Sequence, residues 1–480
     1  MSGQKNNDLL KAAFDGDAFR RQGYQVVDML ADYLNDAKGK NISSVLPDFS
    51  PDEMLKKWKG RFEKKGMADW QQLLEQVLDQ SNHIHHPGYI GHQVTPPLPL
   101  AALMDFAGLF LNNGSAIYEM GPVNVIMERR VIEWMVGLIG YPGEADGIFT
   151  SGGTLGNLTA LLAARQSKAG YNIWQQGVNR QQSLSVFISE QAHYSVKRAV
   201  GVMGLGEDSV VKVPVDSNFR IDISKLPECY SRAKHDGKRV FALVANGCST
   251  ATGSYDHLDT LADFCQQEDI WLHVDGAHGA SALLSDRYRS LMKGVHRADS
   301  IVWDAHKMLL MPSLTTAVIF KDGARSYDSF SQEAAYLFEK EAREEWYNYA
   351  HRTMECTKKM MGLKLYVCLS VLGQDFFAGY VERMYDLSRE FAGIISGSGD
   401  FQLAVEPQSN IVCFRYLKSD LSGEGLNRLQ SEIRKQVLGR GLYYIVQTRL
   451  KGAAYLRCTI INPLTTLEDL TGLLDHIRAL

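Results

Sequence analysis

The sequence predicts an α/β fold: a mostly parallel sheet with helices on both faces, a helical N-terminal segment before it and a small α+β domain after it. Three observations carry the prediction. Between about 145 and 325, short runs rich in Val and Ile alternate with helix-length segments. The first eighty residues repeat apolar side chains at helical spacing, and beyond 381 helix and strand patterns alternate again. A chain of 480 residues is long enough for two or three structural units. Their boundaries are placed at 1–100, 101–380 and 381–480.

Phe19, Val26, Val27, Leu30, Tyr33 and Leu34 define the first amphipathic helix, and Pro51 suits the first turn of another. Such helices have little core of their own, so they are expected to pack on the rest of the chain or on a partner subunit. Strands are expected at Leu184–Ser189, Val210–Val215, Val240–Ala245, Ile270–Val274, Ser300–Trp303 and Thr315–Phe320, with a helix at His257–Glu268 among the connections. Residues 325–350 read as an exposed polar loop, 353–372 as a long helix, and Ser409–Tyr416 and Ala454–Ile461 as strands of the last domain.

Composition excludes several function classes. With 45% hydrophobic and 22% charged residues and a net charge of −4, nothing favours nucleic acid or an anionic membrane surface. No apolar run reaches the roughly 18–20 residues that span a bilayer. The N-terminus lacks an apolar signal core, and the seven dispersed cysteines form no C-x-x-C pair, which suits reduced thiols in the cytoplasm. His83, His85, His86 and His92 cluster without the Cys or carboxylate neighbours of a zinc site. They are expected to line a pocket or an interface, and no metal is expected.

The chemistry lies in the alternating region. Lys307 stands in Ser300-Ile-Val-Trp-Asp-Ala-His306-Lys307, where an apolar strand runs into a polar pair. A cation there is costly to bury, so the lysine is either solvated or chemically employed. Asp275 ends another apolar strand in Trp271-Leu-His-Val-Asp275, where it is either a helix cap or a partner for a heterocyclic nitrogen. A Schiff-base lysine and an aspartate for a pyridinium nitrogen are what pyridoxal phosphate requires. In sheets of this kind ligands gather at strand carboxyl ends, where both residues lie. Ser151-Gly-Gly153-Thr154-Leu-Gly156-Asn157 opens a helix and would cradle one phosphate, although a G-G-T turn is also an ordinary structural turn. His193 follows a strand and would either stack on a flat cofactor or cap a helix. His306 is placed to reach the phosphate or a substrate carboxylate.

In this order, these stretches resemble the group II pyridoxal-phosphate-dependent amino-acid decarboxylases. The motifs are Thr150-Ser-Gly-Gly-Thr-Leu-Gly-Asn157, Ser189-Glu-Gln-Ala-His193-Tyr-Ser195, Leu272-His-Val-Asp275-Gly-Ala277, Ala305-His306-Lys307-Met308, Ala335-Tyr336-Leu-Phe338 and Leu456-Arg457-Cys-Thr-Ile-Ile-Asn462-Pro463. The resemblance runs along nearly the whole chain. It implies a type I pyridoxal-phosphate fold, aspartate aminotransferase-like, in a homodimer with sites at the subunit interface. Lys307 becomes the Schiff-base lysine, Asp275 the pyridinium partner and His193 the stacking ring. Gly153, Thr154 and His306 hold the phosphate, Ala277 packs on the other ring face, and Asn246 hydrogen-bonds a ring substituent. A loop tyrosine, Tyr336 or else Tyr347, protonates the substrate carbon.

Two departures bear on specificity. Asn246-Gly-Cys248-Ser249-Thr250 replaces the common Thr-x-Gly-Thr-Thr, and Gly276 and His278 stand where Ala and an aromatic are frequent. The substrate pocket is expected at His92 and Gln93, with Arg457 a second candidate. Polar groups there suit a polar substrate, glutamate-like or a diamino acid, over an aromatic one. The expected reaction is α-decarboxylation of an L-amino acid to an amine. The alternative is an aldehyde synthase or carbon–carbon lyase on the same fold. A non-catalytic scaffold would lack the lysine or the aspartate, and both are present.

Overall fold

In a computed structural model of the chain, residues 2–42, 44–47, 49–59, 69–179, 182–330 and 345–480 are described. The apolar runs become strands β1 (Asp146–Thr150), β2 (Ser183–Ser189), β3 (Val210–Val213), β4 (Lys238–Asn246), β5 (Trp271–Asp275), β6 (Ser300–Asp304) and β7 (Thr316–Phe320). They form one sheet in the order β1-β7-β6-β5-β4-β2-β3. The pairs from β3 through β2, β4 and β5 to β6 are parallel; β7 runs antiparallel to both β6 and β1. The sheet is therefore mostly parallel, as the sequence predicts. β1, β5, β6 and β7 are buried along their whole length because helices cover both faces, which explains their continuous apolar runs.

The helix Gly153–Lys168 lies across this sheet and buries nine residues, among them Asn157. Its contact is close because Gly156 has no side chain: a Cβ there would lie 2.7 Å from a Val302 methyl. β1 was not among the expected strands, since Asp-Gly-Ile-Phe-Thr carries no Val/Ile cluster and leads directly into the glycine loop.

A second sheet has the order β10-β11-β9-β8, all antiparallel, from β8 (Phe401–Leu403), β9 (Ile411–Tyr416), β10 (Val446–Leu450) and β11 (Ala453–Thr459). The segment around residue 90 is pinned to it: Ile90 donates to the Tyr444 carbonyl, and Thr459 to the Ile90 carbonyl. This carries His92 and Gln93 to the side of Arg457.

Helices Ser2–Ala13, Gly16–Lys38, Pro51–Lys57 and Trp70–Gln80 confirm the helical start, with Pro51 in a first turn closed by a Ser50/Glu53 capping box. The His83 and His85 rings pack on Tyr33 of the second helix. Among the described residues, no helix is long and apolar enough to cross a membrane. The helix expected over 353–372 spans only Gly362–Leu372. The preceding residues are drawn out of helical geometry by buried ion pairs, Arg352 with Asp146 and Lys358 with Glu128. At Gly362 the backbone of Glu128 passes 2.8 Å from where a Cβ would stand.

Candidate active site

Three neighbouring parallel strands end in a polar residue: β4 in Asn246, β5 in Asp275 and β6 in Asp304. A cleft of about 650 Å³ opens over them, lined by the glycine loop 151–154 together with Asn157, His193, Cys248, Asp275, Ala277, Asp304, His306 and Lys307. The turn after β6 carries Lys307 back over its strand, so that its amine stands 2.9 Å from Asp304. Residues from Ser151 to Lys307, 156 positions apart, thus meet at one sheet edge, where parallel strands leave room for a ligand.

Asp275 is held from behind by Asn157, whose amide donates to Asp275 Oδ2 at 3.0 Å and to Ser195 Oγ at 3.0 Å. With both amide hydrogens committed, Asn157 Oδ1 accepts from His273 Nε2 at 2.9 Å. Trp271 Nε1 donates to Ser300 Oγ, leaving the Ser300 hydrogen for His273 Nδ1. Burial holds His273 down to about 4, so it stays neutral at physiological pH. Ser195 Oγ, already an acceptor, gives its hydrogen to His193 Nδ1 at 2.8 Å. The His193 proton therefore sits on Nε2. The same histidine caps the helix Tyr194–Val202, the second of its two sequence readings, and it also lines the cleft. Burial pushes it below the ordinary histidine value against the pull of Asp275.

On the other side lies an anion cradle. No side chain caps the helix that starts at Gly153, and Gly152 takes φ +120°, a region that favours glycine. Asp304 lies against this cradle with its side chain 2% exposed. It accepts from Thr316 Oγ1 at 2.6 Å and faces His306 Nε2 at 3.6 Å. Burial alone would lower the Lys307 amine, but Asp304, with Asp275 beyond it, holds it above the ordinary lysine value.

His92, Gln93 and Arg457 line the same cleft. Arg457 Nη1 donates to the Thr250 carbonyl at 2.8 Å, while its Nε and the Gln93 Nε2 are buried without partners. Among the described residues no carboxylate pairs with Arg457. His278 Nε2 bonds Asn410 Oδ1 at 2.6 Å; because Asn410 Nδ2 donates to the Ile460 carbonyl, the His278 proton is on Nε2 and its buried Nδ1 is left an unpartnered acceptor.

These groups fit pyridoxal phosphate: an uncapped helix start for one phosphate, a carboxylate for the ring nitrogen, a neutral ring beside it and an amine for the aldehyde. Not every expected residue is here. Asn246 is buried outside the cleft lining with its side chain toward Asp256, and Cys248 and Thr250 line the wall instead. Tyr347 packs edge-on against Tyr118 at 5.2 Å, outside the lining of its own chain's cleft, and Tyr336 lies outside the described residues. Asn157 and Asp304 were not singled out from sequence. The signal was available: both are polar residues inside the quoted motifs, in stretches otherwise destined for burial. Among the described residues no group of His, Cys, Asp or Glu is arranged to hold a metal ion.

Comparison with known proteins gives the same picture. Residues 67–417 match the model of the pyridoxal-dependent decarboxylase conserved domain. The chain is 30% identical over 467 residues to an aromatic-L-amino-acid decarboxylase of Bacillus atrophaeus, covering 96% of this chain and 95% of that one. It is 30% identical over 421 residues to the human acidic amino acid decarboxylase GADL1, covering 85% and 80%. The crystal structure of mouse CSAD in apo form superposes with a TM-score of 0.90 at 25% identity, covering 97% and 99%.

Proposed function

The chain belongs to the pyridoxal-dependent decarboxylase family, and we propose that within it the substrate is an L-amino acid with an acidic side chain, converted to its amine and carbon dioxide. The observation that carries this is Arg457: a buried guanidinium with no carboxylate partner among the described residues, beside His92 and an unsatisfied Gln93 amide. An aromatic side chain would leave these groups desolvated and unpaired. A diamino acid would bring a second cation to a cleft whose two lining carboxylates, Asp275 and Asp304, already face the Lys307 amine.

When bound, pyridoxal phosphate supplies the electron sink for the pair left as carbon dioxide departs. The chain's own groups do the rest. Lys307 anchors the cofactor aldehyde, and Asp275, fixed by Asn157, keeps a proton on the ring nitrogen. His193 and Ala277 hold the ring between them. Gly153, Thr154 and His306 take the phosphate. Tyr336 is the first candidate for returning a proton to the substrate carbon and Tyr347 the second.

The sequence resemblance implies a homodimer, and the N-terminal surface supports it: Phe19, Tyr24, Leu103, Phe106 and Phe110 are all exposed. A second copy covering that face would put apolar area where a partner subunit can bury it. The division at 100 and 380 and a cytoplasmic setting, consistent with seven free cysteines, complete the reading.

A substrate panel tests it: glutamate, aspartate, 2,4-diaminobutyrate, lysine, tyrosine, DOPA, tryptophan and histidine, with amine and carbon dioxide measured. Acidic substrates should show the highest kcat/KM. A diamino or aromatic acid turned over faster than both would overturn the assignment. Ammonia and hydrogen peroxide in place of amine would move the chemistry to the aldehyde-forming alternative.

A further inference from the structure

Asp304 has no part in the chemistry above, yet it occupies the most sensitive place in the cleft. It is the last residue of β6, and an ideal Cβ on Gly153 would stand 3.2 and 3.3 Å from its two carboxylate oxygens. One oxygen is satisfied by Thr316 Oγ1 at 2.6 Å; the other faces Lys307 Nζ at 2.9 Å and His306 Nε2 at 3.6 Å. An anion cradle that already contains a buried carboxylate is a conflict, because a phosphate dianion there is repelled unless that carboxylate is compensated. The groups of opposite charge available from its own segment are Lys307 and His306. His193, from the turn after β2, and His278, from the turn after β5, face the same cleft, and burial holds both toward the neutral form. Asp275 on β5 faces Lys307 as a second carboxylate.

We propose that Asp304 is the docking point for the Lys307 ammonium whenever that amine is not covalently engaged, and that once the ammonium gives up its proton the bared carboxylate opposes a phosphate in the cradle. The inference rests on Lys307 being the anchoring amine. Covalent capture of an aldehyde requires that the ammonium lose its proton to solvent; the nitrogen–carbon bond then forms and the carbonyl oxygen leaves as water. The Asp304 carboxylate opposes the first of these events by stabilising the cation, and it opposes seating of the phosphate by repulsion. Asp304 is thus a positioning residue that sets how readily, and at what pH, the cofactor is taken up.

The test uses full-length cofactor-free protein, wild type and Asp304→Asn, mixed rapidly with pyridoxal phosphate or with pyridoxal, which lacks the phosphate, and followed by absorbance. Removing a carboxylate at 2.9 Å should lower the amine's pKa by about one unit, so capture of pyridoxal phosphate at neutral pH should rise about tenfold or more, with the rate–pH midpoint moved down to match. Capture of pyridoxal should rise less, because only the amine effect remains. No acceleration in Asp304→Asn, or equal acceleration with both aldehydes, would overturn the proposal. Should the variant fail to fold, the wild type decides: reductive methylation mapped by mass spectrometry should show Lys307 titrating above an ordinary lysine. Titration below the ordinary value overturns the proposal. Undiminished covalent capture in Lys307→Ala would instead show that the anchoring lysine is wrongly assigned.

Discussion

Lys307 and Lys358 are two interior lysines of one chain, each against a carboxylate, and they have opposite fates. Lys358 is fully enclosed, with its side chain and that of Glu128 both at 0% exposure. Glu128 also accepts from the Phe149 N–H at 2.8 Å, and the Lys358 ammonium stands 4.7 Å over the Tyr349 ring. Every partner is committed, and burial pulls the amine below its ordinary value despite Glu128. Lys307 keeps 19% of its side chain exposed, has one carboxylate at 2.9 Å, and opens onto the cleft. Both lysines meet the cost of burial with an ion pair. What separates a structural lysine from a reactive one is whether the pair is sealed or has an open side where a ligand can compete.

The first way to break this comparison is at the open site. Lys307→Ala should reduce decarboxylation by on the order of 10³-fold or more and abolish covalent cofactor absorbance, with urea unfolding affected less than by loss of Lys358, because Asp304 keeps Thr316 and His306 beside it and opens on the cleft. A strongly destabilised Lys307→Ala would mean that both lysines are structural.

The sealed pair should respond the other way. Lys358→Met leaves Glu128 buried and alone, which should destabilise the fold by about 3–5 kcal/mol in urea titrations. Adding Glu128→Leu should recover most of it, since a buried ion pair and an apolar pair of similar volume are often nearly equivalent. Failure of the double variant to recover would show that the network, not the charge imbalance, holds residues 352–361 in place.

A smaller effect is expected one shell behind the cleft. Asn157→Leu removes the amide that orients both Asp275 and, through Ser195, His193; kcat should fall about 10–100-fold and the kcat pH profile should shift. A loss in KM alone would reduce Asn157 to a packing role.

The gentlest probe is pH. His273 is held down to about 4 and His278 to about 3 by burial, so the unfolded chain binds protons more readily than the folded one. Their contribution to stability is present above the ordinary histidine value near 6.5 and is lost as pH falls from there toward 4 and 3, at roughly 1.4 kcal/mol per unit for each ring. His278→Gln should flatten the acid limb of urea unfolding measured between pH 7 and 5. An unchanged slope would place the acid sensitivity elsewhere.

Much of this was legible in the residues. Asp275 and Lys307 announced themselves as polar groups at the ends of apolar strands, and the expected parallel strands fell close to their observed places because a strand covered on both faces must be apolar throughout. β1, β8 and β10 escaped because they are short or mixed in character. The helix drawn over 353–372 failed at its start because Arg352 and Lys358 look like surface residues until their partners, more than two hundred positions away, are known. Asn157 and Asp304 were visible as residues but silent as roles.

By itself, then, the sequence determined the reaction chemistry and the alternation of strand and helix, since both are local: a residue type at a strand end, a period of two or 3.6. Only the tertiary structure decided which polar groups share a hydrogen bond, which histidine nitrogen carries the proton, and which of two buried lysines has an open side. Those depend on distances between strands that the chain visits in a different order from the one in which they lie.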